Sequence, residues 1–154
     1  RSGLNELYDY IIIDCPPTLG LLVVNTLCAS GGVMVPFRPD EFSKKGLNHL
    51  YDVLDDIEDM GVTQIPEVLA HIPNLVDARR KQEVSDLESI EKHLEQEWEG
   101  DYKMVNPFYN RSQLVKSQSQ RKSVFDYQSK EFIPLQRQFT ELAQIMKEWN
   151  HGQS

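Results

Sequence analysis

The segment Tyr10-Ile11-Ile12-Ile13-Asp14-Cys15-Pro16-Pro17 constrains this chain more than any other. An unbroken run of β-branched residues is the pattern of a strand buried on both faces, which belongs in a parallel sheet. The run ends in an acid, and two prolines follow. Proline there forbids a helical start and stiffens the exit loop. Open α/β sheets place their ligands at the carboxyl ends of their strands. Asp14 is therefore expected to be an anionic group held in place, available to a metal ion, a polarised water or a phosphoryl group. The plainer alternative is an aspartate that only turns the chain.

The rest of the chain alternates in the same sense. Leu19 to Ala29 has helical length and is apolar nearly all round, so it is expected to be buried, with Ser30-Gly31-Gly32 stopping it. Val33 to Phe37 reads as a second strand. Ser43 caps a helix to Met60 with Leu47, Leu50, Leu54 and Ile57 on one stripe. Glu67 to Ile72 reads as a third strand, ending at Pro73. Asp77 opens a charged helix to Glu99, with Leu87, Ile90, Leu94 and Trp98 as its seam and Gly100 as its stop. Lys103 to Val105 reads as a fourth strand, ending at Pro107. Ser112 to Gln120 is a polar helix or loop, and Val124-Phe125 a last extended piece. A final helix runs from about Ile133 to Trp149, burying Leu135, Phe139, Leu142 and Ile145-Met146; Pro134 suits its first turn. Strand–helix repetition of this kind implies a layered, mainly parallel α/β sheet flanked by helices. No linker or repeat divides residues 1–154, which read as a single domain.

The net charge of −8 argues against a general nucleic-acid binder, but the charge is uneven. From Asp52 to Asp101 there are 15 acids against 4 bases. From Arg111 to Lys130 there are 5 bases against 1 acid. A basic surface on an acidic body is thus expected. The two cysteines and four scattered histidines show no metal-ligand spacing, and so few cysteines suit a reduced cytoplasmic setting. No apolar run approaches the ~20 residues needed to span a bilayer.

Asp14-Cys15-Pro16-Pro17-Thr18-Leu19-Gly20, then Asn25, Val33-Met34-Val35-Pro36-Phe37-Arg38-Pro39 and Gly46-Leu47, resemble the ParA/MinD family of deviant Walker ATPases. These proteins position plasmids, chromosomes and other cargo in bacteria. The resemblance implies a P-loop NTPase-like fold in which Asp14 is the catalytic switch residue, close to Mg²⁺ through a water and to the γ-phosphate. It implies that Pro16, Pro17, Asn106 and Pro107 border the ATP site, and that Arg111, Lys116, Arg121 and Lys122 contact DNA non-specifically. It further implies an ATP-dependent homodimer, released by a ParB-like adaptor that stimulates hydrolysis, in the nucleoid-associated cytoplasm. Membrane-bound relatives end in a basic amphipathic helix; the end here, Lys147 to Gly152, is neither long nor basic enough, so no membrane partner is expected.

The sequence contains no glycine-rich phosphate loop: Gly31-Gly32 precedes a strand and has no Lys or Ser/Thr in place. In the family that loop lies upstream of everything seen here. The chain is accordingly expected to be the C-terminal part of such a domain, incomplete at its N-terminus, to bind no cofactor tightly and to leave ATP unhydrolysed on its own. An apolar surface freed of its central strand partner is expected to be exposed. Two other readings compete. One is a non-catalytic interaction module that keeps the fold without a nucleotide site. The other is a receiver-type signalling domain with Asp14 as phospho-acceptor, for which no acidic pair lies upstream.

Overall fold

Parallel pairing organises the sheet, as the alternation of apolar segments requires. The computed structural model describes residues 3–61, 64–97 and 102–152. Its elements are α1 (Leu21–Ala29), β1 (Gly32–Phe37), α2 (Ser43–Met60), β2 (Glu67–Val76), α3 (Lys81–Glu97), β3 (Phe108–Tyr109), α4 (Ser112–Gln120) and α5 (Ile133–Gly152). The sheet order is β1-β2-β3, with both pairings parallel. This is a layered α/β fold of the P-loop NTPase-like kind. Among the described residues no helix is long and apolar enough to cross a membrane.

The chain forms two compact units. One comprises Arg1–Gly31 and His49–Pro66, the other Gly32–Asn48 and Glu67–Ser154. In the first, Val23 and Leu27 of α1 are buried, as are Leu54 and Ile57 of α2. These are two of the four positions in the apolar stripe read from the α2 segment. α1 departs from expectation: Leu21 and Leu22 are about three-quarters exposed, and only one side of the helix is covered.

The largest departure lies in the opening motif. Tyr10 to Asp14 forms no strand, and Ile11, Ile12 and Ile13 are all exposed, Ile12 at 76%. A strand exists only through the ladder it joins, because its N–H and C=O groups have no partner within their own segment. Among the described residues no neighbouring strand pairs with this one. The β-branched pattern records a preference that has nothing to pair with, and the expected exposed apolar surface is present.

In the second unit β2 is central. Five successive residues, Leu69 to Pro73, are buried, so both faces of the strand are covered. Gly32 starts β1 where the backbone passes Leu69; a Cβ there would lie 2.8 Å from Leu69 Cδ1. The third strand was expected to end at Pro73 but runs on to Val76. The extension works through a change of partner. β1 pairs β2 as far as Pro73, and β3 takes over from Asn74. The register shifts between Asn74 and Val76, where Leu75 has φ 55° and its N–H is held by Asn74 Oδ1 at 2.9 Å. Such a bulge re-aims a strand and ends one pairing. The expected strand Lys103 to Val105 reduces to a single bridge, Met104 to His71, and the paired residues are Phe108 and Tyr109 instead. Val124-Phe125 is a 3₁₀ turn rather than an extended piece, closed by Ser123 and Asp126 in a reciprocal capping box. The expected seam residue Trp98 and the stop at Gly100 lie outside the described residues.

The core joins Leu69, Ala70 and Ile72 of β2 to Val105, Phe108, Val124, Phe132, Leu135 and Ile145, with Phe139 and Leu142 of α5 against them. On α3, Ile90 and Leu94 are fully buried, as read from the sequence. His71 sits within the sheet at 1% exposure, its Nδ1–H on the Lys103 carbonyl at 3.2 Å and its ring edge-on to Tyr102. Burial disfavours the imidazolium and lowers the His71 pKa, against a smaller opposing effect of the Lys103 carbonyl. The sign follows from linkage. Below about pH 6.5 the unfolded chain takes up a proton that folded His71 refuses, so stability falls as pH drops through that value. Urea denaturation is expected to give a lower midpoint at pH 5.5 than at pH 7.5. His71→Phe should show a smaller difference between the two.

Candidate functional site

In a parallel sheet the chemistry sits where strands leave it at their carboxyl ends. β1 leaves into the loop Arg38-Pro39-Asp40-Glu41-Phe42. Asp40 Oδ1 accepts from the Phe42 N–H at 3.0 Å and the Ser43 hydroxyl at 2.9 Å, and the Ser43 hydroxyl also bonds the Arg38 carbonyl. Asp40 therefore fixes the turn that enters α2, in the manner of Asp side chains that bond the backbone two residues on. Arg38 turns the other way and donates to Glu83 Oε1 at 3.2 Å.

Glu83 is the residue the sequence reading passed over. It is a buried carboxylate in the first turn of α3 that gathers Arg38, Arg80 Nη1 at 3.2 Å and the Asp77 N–H at 2.8 Å. The Asp77 amide, with the two guanidinium groups adding to it, holds the Glu83 pKa below the usual carboxylate value. Asp77 in turn accepts from Arg79 Nε at 2.9 Å and Nη2 at 3.0 Å. Arg79 keeps the Asp77 carboxyl ionised, with a pKa of about 2. The network ties the exit of β1 to the exit of β2. Its sequence signal is slight: Asp77-Ala78-Arg79-Arg80 followed by one glutamate three residues on.

The expected site residues fall in both units, and each unit stands by itself. In the first, Asp14, Pro16 and Pro17 lie exposed on a stretch without regular structure. Among the described residues no group of three or more His, Cys, Asp or Glu is arranged to hold a metal ion. Mg²⁺ is usually held by one or two carboxylates together with phosphates and waters. Asp14 is one carboxylate, and the sequence has no phosphate-cradling loop. These residues do not by themselves make a nucleotide site, and no reaction step through a nucleotide follows from them.

In the second unit, Asn106 is exposed and Pro107 half-buried. The Gln138 amide of α5 donates to both of their carbonyls, at 3.2 and 2.9 Å, so this loop is tied to the last helix. The basic segment forms a helix, α4, with a turn after it. Arg111 precedes the helix, its guanidinium 5.8 Å from the centre of the Tyr109 ring. The Lys116 ammonium lies over the rings of Tyr127 and Phe132, at 5.4 and 5.7 Å, and 3.9 Å from Glu131. Those two rings are parallel, 4.1 Å apart. Arg121 and Lys122 are exposed just beyond the helix. Sequence reading placed these four cations together; it had no means of telling which are engaged by neighbours.

Residues 2–66, which hold Asp14, Pro16 and Pro17, match the AAA domain family. The sporulation initiation inhibitor protein Soj of Bacillus subtilis is 31% identical over 93 residues, 60% of this chain and 36% of that protein. The chromosome partitioning protein ParA of Myxococcus xanthus is 48% identical over 58 residues, 36% of this chain and 20% of its own length. The chromosome-partitioning ATPase Soj of Treponema pallidum is 36% identical over 57 residues, 37% of this chain and 22% of that protein. The chain thus spans about a third or less of the length of these relatives. Its Asp-Cys-Pro-Pro motif, its parallel α/β sheet and these likenesses over part of its length support a resemblance to the ParA/MinD-type family of partitioning ATPases.

Proposed function

We propose that this chain is the nucleotide-switch part of an ATPase that partitions or positions DNA or other cargo through ATP-dependent dimerisation and non-specific DNA binding. The observation that carries the reading is the match of residues 2–66, which contain Asp14-Cys15-Pro16-Pro17, to the AAA domain family, together with the chain's likeness to named chromosome-partitioning proteins. When bound, ATP with Mg²⁺ would supply a γ-phosphate whose presence or loss a switch loop can sense. In this reading Asp14 provides the carboxylate and Pro16-Pro17 the stiffness of that loop. The phosphate-binding amides come from a segment other than those in this sequence. Asn106 and Pro107 border the nucleotide, and the basic segment from Arg111 to Lys122 carries the DNA contact. The active species is a homodimer, turned over by an adaptor that stimulates hydrolysis.

Two measurements test this. The 154-residue chain alone is expected to release no phosphate from ATP above background, because P-loop chemistry depends on positioned phosphate-binding groups. Turnover by the chain alone contradicts the division of labour proposed here. The full protein that carries this chain, with ATP and Mg²⁺, is expected to bind duplex DNA of unrelated sequences equally. A protein that ignores duplex DNA under those conditions is not a DNA-tethered partitioning ATPase.

A further inference from the structure

Two arginines meet behind the strand exits on a single buried oxygen. Arg38 follows β1 and Arg80 precedes α3, and each donates to Glu83 Oε1 at 3.2 Å. The Glu83 side chain is 9% exposed, whereas those of Arg38 and Arg80 are 51% and 63% exposed. A guanidinium carries five donors in a fixed planar fork. Apart from Arg80 Nε, 3.8 Å from Asp77, the remaining donors of both forks meet no protein acceptor among the described residues. Glu83 thus anchors the pair from the buried side and leaves both outer edges available.

Those edges border a cleft of about 570 Å³, which Glu41, Phe42 and Asp86 also line. Its size is that of a site for a small ligand or a few residues of a peptide. Phe42 stands on it 66% exposed, an apolar ring beside the two forks. Four of the acids around it are already engaged. Glu83 holds the arginines, Asp40 holds the turn into α2, Asp77 pairs with Arg79, and Asp86 accepts from the Gln82 amide at 2.8 Å. Arginine forks match a carboxylate or a phosphoryl group through paired N–H bonds. Glu41 and Asp86 on the same wall decide between the two, because a dianion is repelled by them more than a single carboxylate. Arginine and aromatic side chains are also the types that carry most binding energy where proteins meet.

We propose that this cleft binds an acidic–apolar segment of a partner protein, with a carboxylate on the Arg38 and Arg80 forks and an adjacent apolar side chain on Phe42. Glu83 is a positioning residue that holds the two forks side by side. The experiment follows the fluorescence anisotropy of a labelled peptide of alternating Asp and Phe as the full protein is added, alongside thermal melting. Saturable binding is expected, and a peptide of alternating Asn and Phe should bind at least about tenfold more weakly. Arg38→Gln and Arg80→Gln should each weaken binding about tenfold. Phe42→Ser should weaken it about threefold at an unchanged melting temperature, because the ring is exposed. Lys92→Gln on α3, away from the cleft, should keep wild-type affinity. The absence of saturable binding overturns the proposal, as do equal affinities for the two peptides or wild-type affinity in Phe42→Ser. Inorganic phosphate that displaces the peptide at lower concentration than acetate does assigns the forks to a phosphoryl group and overturns it as well.

Discussion

Replacing Phe132 by alanine is expected to lower unfolding free energy by about 3–5 kcal/mol, the range for deleting a fully buried aromatic ring. Phe132 is 0% exposed, and it joins three elements. Its ring lies parallel to Tyr127, sits beneath the Lys116 ammonium, and belongs to the core with Val124, Leu135 and Ile145. Truncation removes the transfer free energy of the ring and leaves a cavity that three anchored neighbours cannot easily fill. It also removes the surface that orders Lys116. The neighbouring Phe125 makes an internal control, because it is 55% exposed in the adjacent 3₁₀ turn. Phe125→Ala is expected to cost no more than about 1 kcal/mol. Denaturant unfolding of the two variants checks the contrast. Equal losses would mean that the Tyr127–Phe132 stack is not part of the folded core.

The second large effect is in salt. If Arg121 and Lys122 each neutralise one phosphate, the affinity for duplex DNA should fall with a log–log slope near −1.8, from about −0.9 per phosphate. Raising monovalent salt from 50 to 200 mM then weakens binding by about twelvefold. This follows from release of condensed counterions and is independent of DNA sequence, so two unrelated duplexes should give the same slope. Fluorescence anisotropy across a salt series measures the slope directly. A flat response would remove the basic segment from the binding surface.

Local pattern carried much of the fold. The α2 segment was legible from Ser43 to Met60 because capping chemistry and a 3.6-residue apolar stripe agree there. Buried Leu47, Leu54 and Ile57 follow from that stripe, as Leu135 and Ile145 follow from the one on α5. The Ser- and Gln-rich sequence of α4 has no apolar stripe of its own and reads as helix or loop alike. Packing of its first turns and of Lys116 on Tyr127 and Phe132 fixes it as a helix. Pro73 misled for a comparable reason. Proline ends a ladder on its own N–H side, but the bulge at Leu75 lets β2 exchange β1 for β3 and continue.

The candidate site divides along the same line. Residue type, order and spacing around Asp14-Cys15-Pro16-Pro17 carry the family resemblance, because that motif is contiguous and its chemistry is local. The contact of buried Glu83 with Arg38, across two strand exits, joins residues 45 positions apart, and no periodicity encodes it. The same holds for the difference between Lys116, which lies over two rings, and Arg121, exposed on a left-handed turn. Chain chemistry alone decides which segments favour helix or strand and which carry charge. Whether Ile11 to Ile13 becomes a strand, and which cations remain free to meet a ligand, depends on partners brought from elsewhere in three dimensions. Ladders, ion pairs and ring contacts exist only between segments, so the run of isoleucines states a preference that its neighbours must complete.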